Sequence, residues 1–223
     1  MSRKLPAWMS TKSKSDKNAC QPSKDDASSA MTLPESYEII YSHHYKDCCL
    51  LCDDLLSTLP RPTVVGLDTE WPINYKPHVG EQKTAVIQLC PSVDRCYIFH
   101  VSQIGSIPGP LKSLLEDASI TKVGLNIAGD LWKLHRVFDN ISSDVLRNHI
   151  DLCSMANSVL NTRERWSLDN LCQHLFSKTL TKDNAVRSSQ WDSYPLSNAQ
   201  LKYAALDAYV SLLAYLELKQ RQK

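Results

Sequence analysis

Asp68 and Glu70 stand two residues apart in Val64-Val65-Gly66-Leu67-Asp68-Thr69-Glu70-Trp71, a run that opens apolar and β-branched. Such a run reads as a buried strand, and alternate side chains of a strand share a face. Both carboxylates therefore leave the chain on one side at the strand's end. Two like charges so close repel unless a cation lies between them. A solvated strand end would carry the same two acids, so the pair alone decides nothing. Asp130 falls in the first turn of a helix beginning after the strand Lys122–Leu125. The helix dipole favours a carboxylate there, which would by itself explain it. Tyr203 and Asp207 are four apart on a helix, which stacks them on one face with Cβ atoms ~5–6 Å apart. Ala204, Ala205 and Ala208 beside them are small enough to let another element or a ligand approach. A core tyrosine next to a surface aspartate is the plain alternative, but an acid among Ala, Leu and Tyr fits a surface poorly.

Taken together, four acids and one phenol sit on separate elements, at strand ends or helix faces. Mg²⁺ and Mn²⁺ prefer carboxylate oxygens and water. Two such ions about 3.5–4 Å apart activate a water and stabilise the leaving oxygen of an in-line displacement at phosphorus. The expected arrangement puts one ion on Asp68, Glu70 and Asp207, and the second on Asp68 with Asp130, directly or through water. Tyr203 is placed to orient the attacking water.

The elements that must position these groups follow from pattern. Strands are predicted over Tyr37–Tyr41, Val64–Asp68, Thr84–Cys90, Cys96–Val101, Lys122–Leu125 and His149–Leu152, with a Pro-Ser-Val-Asp turn at Pro91–Asp94. Helices are predicted over His44–Leu59, Pro110–Asp117, Ala128–Phe138, Ser154–Leu160, Ser167–Leu175 and Ser197–Gln220. Three antiparallel-looking strands, then strand–helix alternation, then a helical last third point to an α/β fold with a mixed sheet flanked by helices. Residues 1–33 are rich in Ser, Lys, Asp and Asn and too poor in large apolar residues to offset their ordering entropy, so a disordered tail is expected there. Its scattered lysines read as a solvated tail more than as an import signal. The domain proper is expected over residues 34–223.

Bulk composition narrows the partners little. Lys+Arg 25 against Asp+Glu 24 gives a net charge of +1, so any basic surface must come from arrangement. No apolar run approaches the ~20 residues of a membrane span, and the N-terminus lacks a secretory pattern. Eight cysteines, mostly in apolar segments, suit free thiols in a reducing compartment. Cys48, Cys49 and Cys52, with His43 and His44 nearby, include zinc-ligand types, but no second pair at finger spacing follows and the segment has helical periodicity. Buried helix cysteines are the expectation, with zinc on Cys49 and Cys52 as the minority reading.

The motifs resemble the DEDD exonucleases of the DnaQ-like, ribonuclease H-related superfamily, in the tyrosine subtype and its Werner-like group. Asp68-Thr69-Glu70-Trp71-Pro72 carries the first motif with the Trp-Pro extension, Gly129-Asp130-Leu131-Trp132-Lys133-Leu134 the second, and Tyr203-Ala204-Ala205-Leu206-Asp207-Ala208-Tyr209 the third. Trp166–Leu171 and Trp191–Leu196 also look like that group. The resemblance spans about Tyr37 to Leu218 and implies an RNase H-like mixed sheet of five or six strands. It further implies 3′→5′ hydrolysis to nucleoside 5′-monophosphates on Mg²⁺ or Mn²⁺, inside the cell and in the nucleus. Trp71-Pro72 tips the expected substrate toward DNA, with an RNase D-like trimming of RNA as the alternative and an inactive binding module of the same fold as a third reading. No GxxxxGK[ST] loop is present, so unwinding would fall to a separate helicase. Candidate strand contacts are Trp71, Trp132, Lys133 and Arg187, with a basic stretch at Arg163, Arg165, Lys178 and Lys182 and a bordering loop carrying Lys76 and His78.

Overall fold

The computed structural model describes residues 30–73, 82–180 and 183–222. Within them the apolar, β-branched runs form six strands: β1 (Glu38–Ser42), β2 (Thr63–Glu70), β3 (Val86–Ser92), β4 (Arg95–Phe99), β5 (Ile120–Gly124) and β6 (His149–Asp151). They make one sheet in the order β1-β4-β3-β2-β5-β6. β2, β3 and β4 form an antiparallel meander, while β1 joins β4, β5 joins β2 and β6 joins β5 in parallel. The parallel strands are reached by crossovers through α1 (Tyr45–Thr58), α3 (Gly109–Glu116) and α4 (Ile127–Val137), as parallel pairing requires. The last third supplies α5 (Leu152–Leu160), α6 (Leu168–Phe176), α7 (Asn184–Arg187) and α8 (Asn198–Arg221).

Strand alternation divides the interior into two faces. On one, Ile40, Leu67, Ile87, Leu89 and Phe99 pack against leucines of α1, α3 and α4. On the other, Ile39, Val86, Cys90, Cys96 and Ile98 pack against Ala204, Ala205, Ala208 and Leu212 of α8. A smaller cluster around Val123, Leu171 and Tyr215 ties α5 and α6 to the same side as α8.

The expected strands and long helices are all present, with bounds shifted by a few residues. Three short elements escape periodicity because each is four residues long: α2 (Val101–Ile104), a 3₁₀ turn (Ser143–Leu146) and α7. The turn expected from Pro91 begins later. β3 continues to Ser92 through a register shift between Leu89 and Ser92, and Pro91, lacking an N–H, sits at that irregularity. Cys48 and Cys52 face the core from α1. No helix among the described residues is long and apolar enough to cross a membrane. Ala30 to Leu33, assigned by composition to the tail, are docked instead. Ala30 bridges Thr179, and Met31 is buried, donating its backbone N–H to the Thr179 carbonyl at 2.8 Å. One large apolar side chain with a place to go offsets the ordering of those few residues. The rest of the expected tail lies outside the described residues.

Candidate active site

β2 and α8 cross at a contact that admits no side chain. A Cβ on Gly66 would come within 2.2 Å of the Ala208 carbonyl oxygen, so glycine lets the helix lie directly on the strand. From there alternation places Asp68 and Glu70 on the α8 face. Asp207, next to Ala208, meets them from the helix. The start of α8 is set by a capping box: the Ser197 hydroxyl accepts from the Gln200 backbone N–H, and the Gln200 side chain accepts from the Ser197 N–H. Asp130 arrives from the far side of β2. Asn126, in the left-handed conformation at φ 57°, turns the chain out of β5 into α4 and sets Asp130 in its first turn. Thr69, between the two strand acids, donates from Oγ1 to Asp130 Oδ1 at 3.1 Å.

Asp68, Glu70 and Asp207 each offer an oxygen within 4.8 Å of the other two. Asp130 is held beside this group by Thr69 and is buried. Burial raises all four acids, and repulsion within the group adds to it at Asp68 and Glu70. The Asp68 carboxyl is raised well above the ordinary range by burial, then by Glu70, Asp207 and Asp130. Burial and the Asp207 and Asp130 charges push Glu70 up to about 9, with Arg187 opposing. Burial pushes Asp207 up to about 7 against the Tyr203 hydrogen bond and Arg187. Asp130 rises to about 6 through burial, opposed by the Thr69 hydroxyl and Lys133. Four crowded carboxylates, Asp130 buried beside Lys133 and the other three partly buried, form an arrangement that divalent metal ions relieve. The ligand set is all oxygen, which suits Mg²⁺ or Mn²⁺. The acids open on a cleft of about 550 Å³ that Trp71, Asn126, Asp169, Asp183, Arg187 and Tyr203 also line.

Residues 44–222 match the 3′-5′ exonuclease family. The chain belongs to this family. It is 41% identical to the bifunctional 3′-5′ exonuclease/ATP-dependent helicase WRN of Mus musculus over 98% of its own length and 15% of that protein. It is 30% identical to a 3′-5′ exonuclease of Drosophila persimilis over 96% of this chain and 61% of the relative. The chain thus spans less than two thirds of these relatives. Among solved structures, Brucella melitensis NrnC with bound Mg²⁺ superposes with a TM-score of 0.57 at 25% identity, over 71% of this chain and 72% of that one. The six-stranded sheet with its flanking helices is the RNase H-like fold of metal-dependent 3′-5′ exonucleases.

In this exonuclease domain all five motif residues line one cleft. The four candidate strand contacts do not travel together. Trp71 and Arg187 line the cleft with the acids. Lys133 is buried and its ammonium lies over the Trp71 ring, 4.3 Å from the centroid, so it braces that indole from behind. Trp132 is half exposed, packs beside His135 and does not line the cleft. Arg163, Arg165 and Lys178 are exposed and lie outside the cleft lining. Lys76, His78 and Lys182 lie outside the described residues. Sequence reasoning gave Trp191 no role. Its ring is fully buried 6.0 Å from that of Tyr203, its Nε1 donates to the Arg187 carbonyl, and its own carbonyl meets His100 Nε2 at 3.0 Å. It ties two cleft residues to the sheet. A tryptophan between two polar stretches was the available signal, but its partners are distant in sequence.

Proposed function

We propose that this domain removes nucleotides from the 3′ ends of nucleic acid, DNA in preference to RNA, using two divalent cations, Mg²⁺ or Mn²⁺. The observation that carries the reading is the convergence of three carboxylate oxygens within 4.8 Å on elements far apart in the chain. Asp68, Glu70 and Asp207 would hold one cation, and Asp68 with Asp130 the other. When bound, such cations supply acidification of a water and neutralisation of charge on the scissile phosphate. The chain's own groups do the positioning. The Tyr203 phenol lies beside Asp207 and favours its ionised form, and burial followed by the neighbouring acids raises the phenol, so it stays protonated at working pH. It therefore orients the water by hydrogen bonding and does not act as its base. Arg187 faces the phosphate backbone from the cleft wall, and Trp71, held by Lys133, offers a face for the terminal base. Trp71-Pro72 and the likeness to the mouse relative favour DNA. That relative also carries a helicase, which supports a helicase working beside this domain, in the nucleus.

The test is a 5′-labelled oligonucleotide, as DNA and as RNA of one sequence, incubated with Mg²⁺, Mn²⁺ or EDTA. A ladder shortening from the 3′ end, dependent on the cation and faster on DNA, is expected. RNA cut faster would transfer the proposal to an RNase D-like trimmer. No cutting of single or double strands with either cation would leave a binding module.

A further inference from the structure

Three of the acids differ in what holds them. Asp130 receives the Thr69 hydroxyl, and Asp207 is faced by the Tyr203 phenol one helical turn away. Both donors are neutral, which orients a carboxylate while leaving its full charge for a cation; a lysine or arginine in their place would compete with the metal. Asp68, the acid assigned to both cations, meets the Thr69 backbone N–H but no side-chain donor among the described residues. Directly across from it on β3 stands Gln88.

Gln88 is fully buried, and neither its Nε2 nor its Oε1 has a hydrogen-bond partner. A buried amide with nothing to bind is expensive, and such groups are rare in native interiors. Its surroundings explain why it finds nothing nearby. Along β3 the residues on its face are Val86 and Cys90, and across the other edge is Ile98. The Cys90 thiol is already engaged by the Tyr37 hydroxyl and the Ser92 carbonyl. The alanines of α8 cover this face. Directly paired residues of antiparallel strands have Cβ atoms ~4.5–5.5 Å apart, so the Asp68 carboxylate lies within a glutamine's reach.

We propose that Gln88 is a positioning residue for the cation site, its amide N–H holding the Asp68 carboxylate in place for bound cations. The role adds a third neutral donor to the site: the Thr69 hydroxyl from β2, the Tyr203 phenol from α8 and the Gln88 amide from β3. The inference rests on the reading of Asp68 as a cation ligand, so its test measures binding without catalysis.

Substrate-free protein is titrated with Mn²⁺ by calorimetry, as wild type, Gln88→Met and Gln88→Leu, and each is melted without added cation. Loss of a partner that orients a metal ligand weakens binding about 10- to 100-fold. Both variants should show that loss while melting, cation-free, at or above the wild-type temperature, because an apolar side chain suits an apolar slot better than an unpaired amide. Wild-type affinity in the variants would overturn the proposal and leave the exonuclease reading intact. A marked fall in the cation-free melting temperature of both would make Gln88 a structural residue and overturn it too. A wild type that binds no Mn²⁺ would defeat the cation site itself, and this proposal with it.

Discussion

Along β2, Val65 and Leu67 point into one face of the sheet, and Gly66, Asp68 and Glu70 into the other. The first face is closed by leucines of α1, α3 and α4. Where a charge is buried on that side it is provided for: Lys122 donates to the carbonyls of Leu115 and Arg147. The α8 face holds three crowded acids, Asp68, Glu70 and Asp207, and an unpaired amide. One face is assembled for stability, and the other tolerates repulsion that cations remove on binding. Neighbouring residues of a single strand serve both ends, so the domain localises its electrostatic cost to half of one sheet.

The comparison can be broken most directly by exchanging consequences between the faces. Asp68→Ala and Asp207→Ala should lower cleavage by roughly a thousandfold or more and should not lower the cation-free melting temperature. Cleavage at wild-type rates by the Asp68 variant would remove it from the site. Leu114→Ala, on the opposite face, should do the reverse. It should cost about 2–5 kcal/mol of stability in denaturant titration and leave the rate per folded molecule unchanged; a slower folded enzyme would mean the faces are not independent. Tyr203→Phe should slow cleavage about tenfold to a hundredfold while cation binding by calorimetry survives, since the tyrosine positions and does not ligate.

The smallest effect sharpens the electrostatics. Asp207 and Glu70 have folded values raised to about 7 and about 9 from ordinary values of 3.8 and 4.5. A raised folded value means stability complete below the unfolded value and lost as pH climbs through the folded one. Cation-free protein should therefore melt at progressively lower temperature from pH 5 to pH 9. Mg²⁺ binds the ionised acids, so it should raise the melting temperature more at pH 8 than at pH 6. A pH-independent metal shift would mean the cation is held elsewhere.

Much of this was legible in the chain. Strand and helix periods carried the fold, because long amphipathic segments state their own type. The five motif residues were legible only as a set: each had a plainer explanation alone, but four acids and a phenol on separate elements suit a shared cation site, and their order resembles a known family. Trp132 and Lys133, offered as strand contacts, fall outside the cleft lining for a geometric reason. Proximity to Asp130 in sequence says nothing about which side of α4 each occupies, and only the fold turns Lys133 inward under Trp71. Trp191 was legible only as part of a stretch resembling the family, not in its role, and Gln88 was invisible to pattern. A tryptophan that links His100 to Arg187, and a glutamine whose only meaning is the residue across the strand, depend on long-range register. Met31 escaped because composition averages over a window, whereas burial concerns one side chain.

The contact at Gly66 constrains how this domain can be altered. Replacing a strand glycine with alanine commonly stiffens the unfolded chain to the benefit of the native state. Here the added methyl would act as a wedge, prising α8 from β2 beside Asp207 and widening the spacing between acids on two different elements. The absence of a single carbon therefore sets the gauge of the cation-binding jaw, and routine thermostabilisation at this position would be bought with the enzyme's metal.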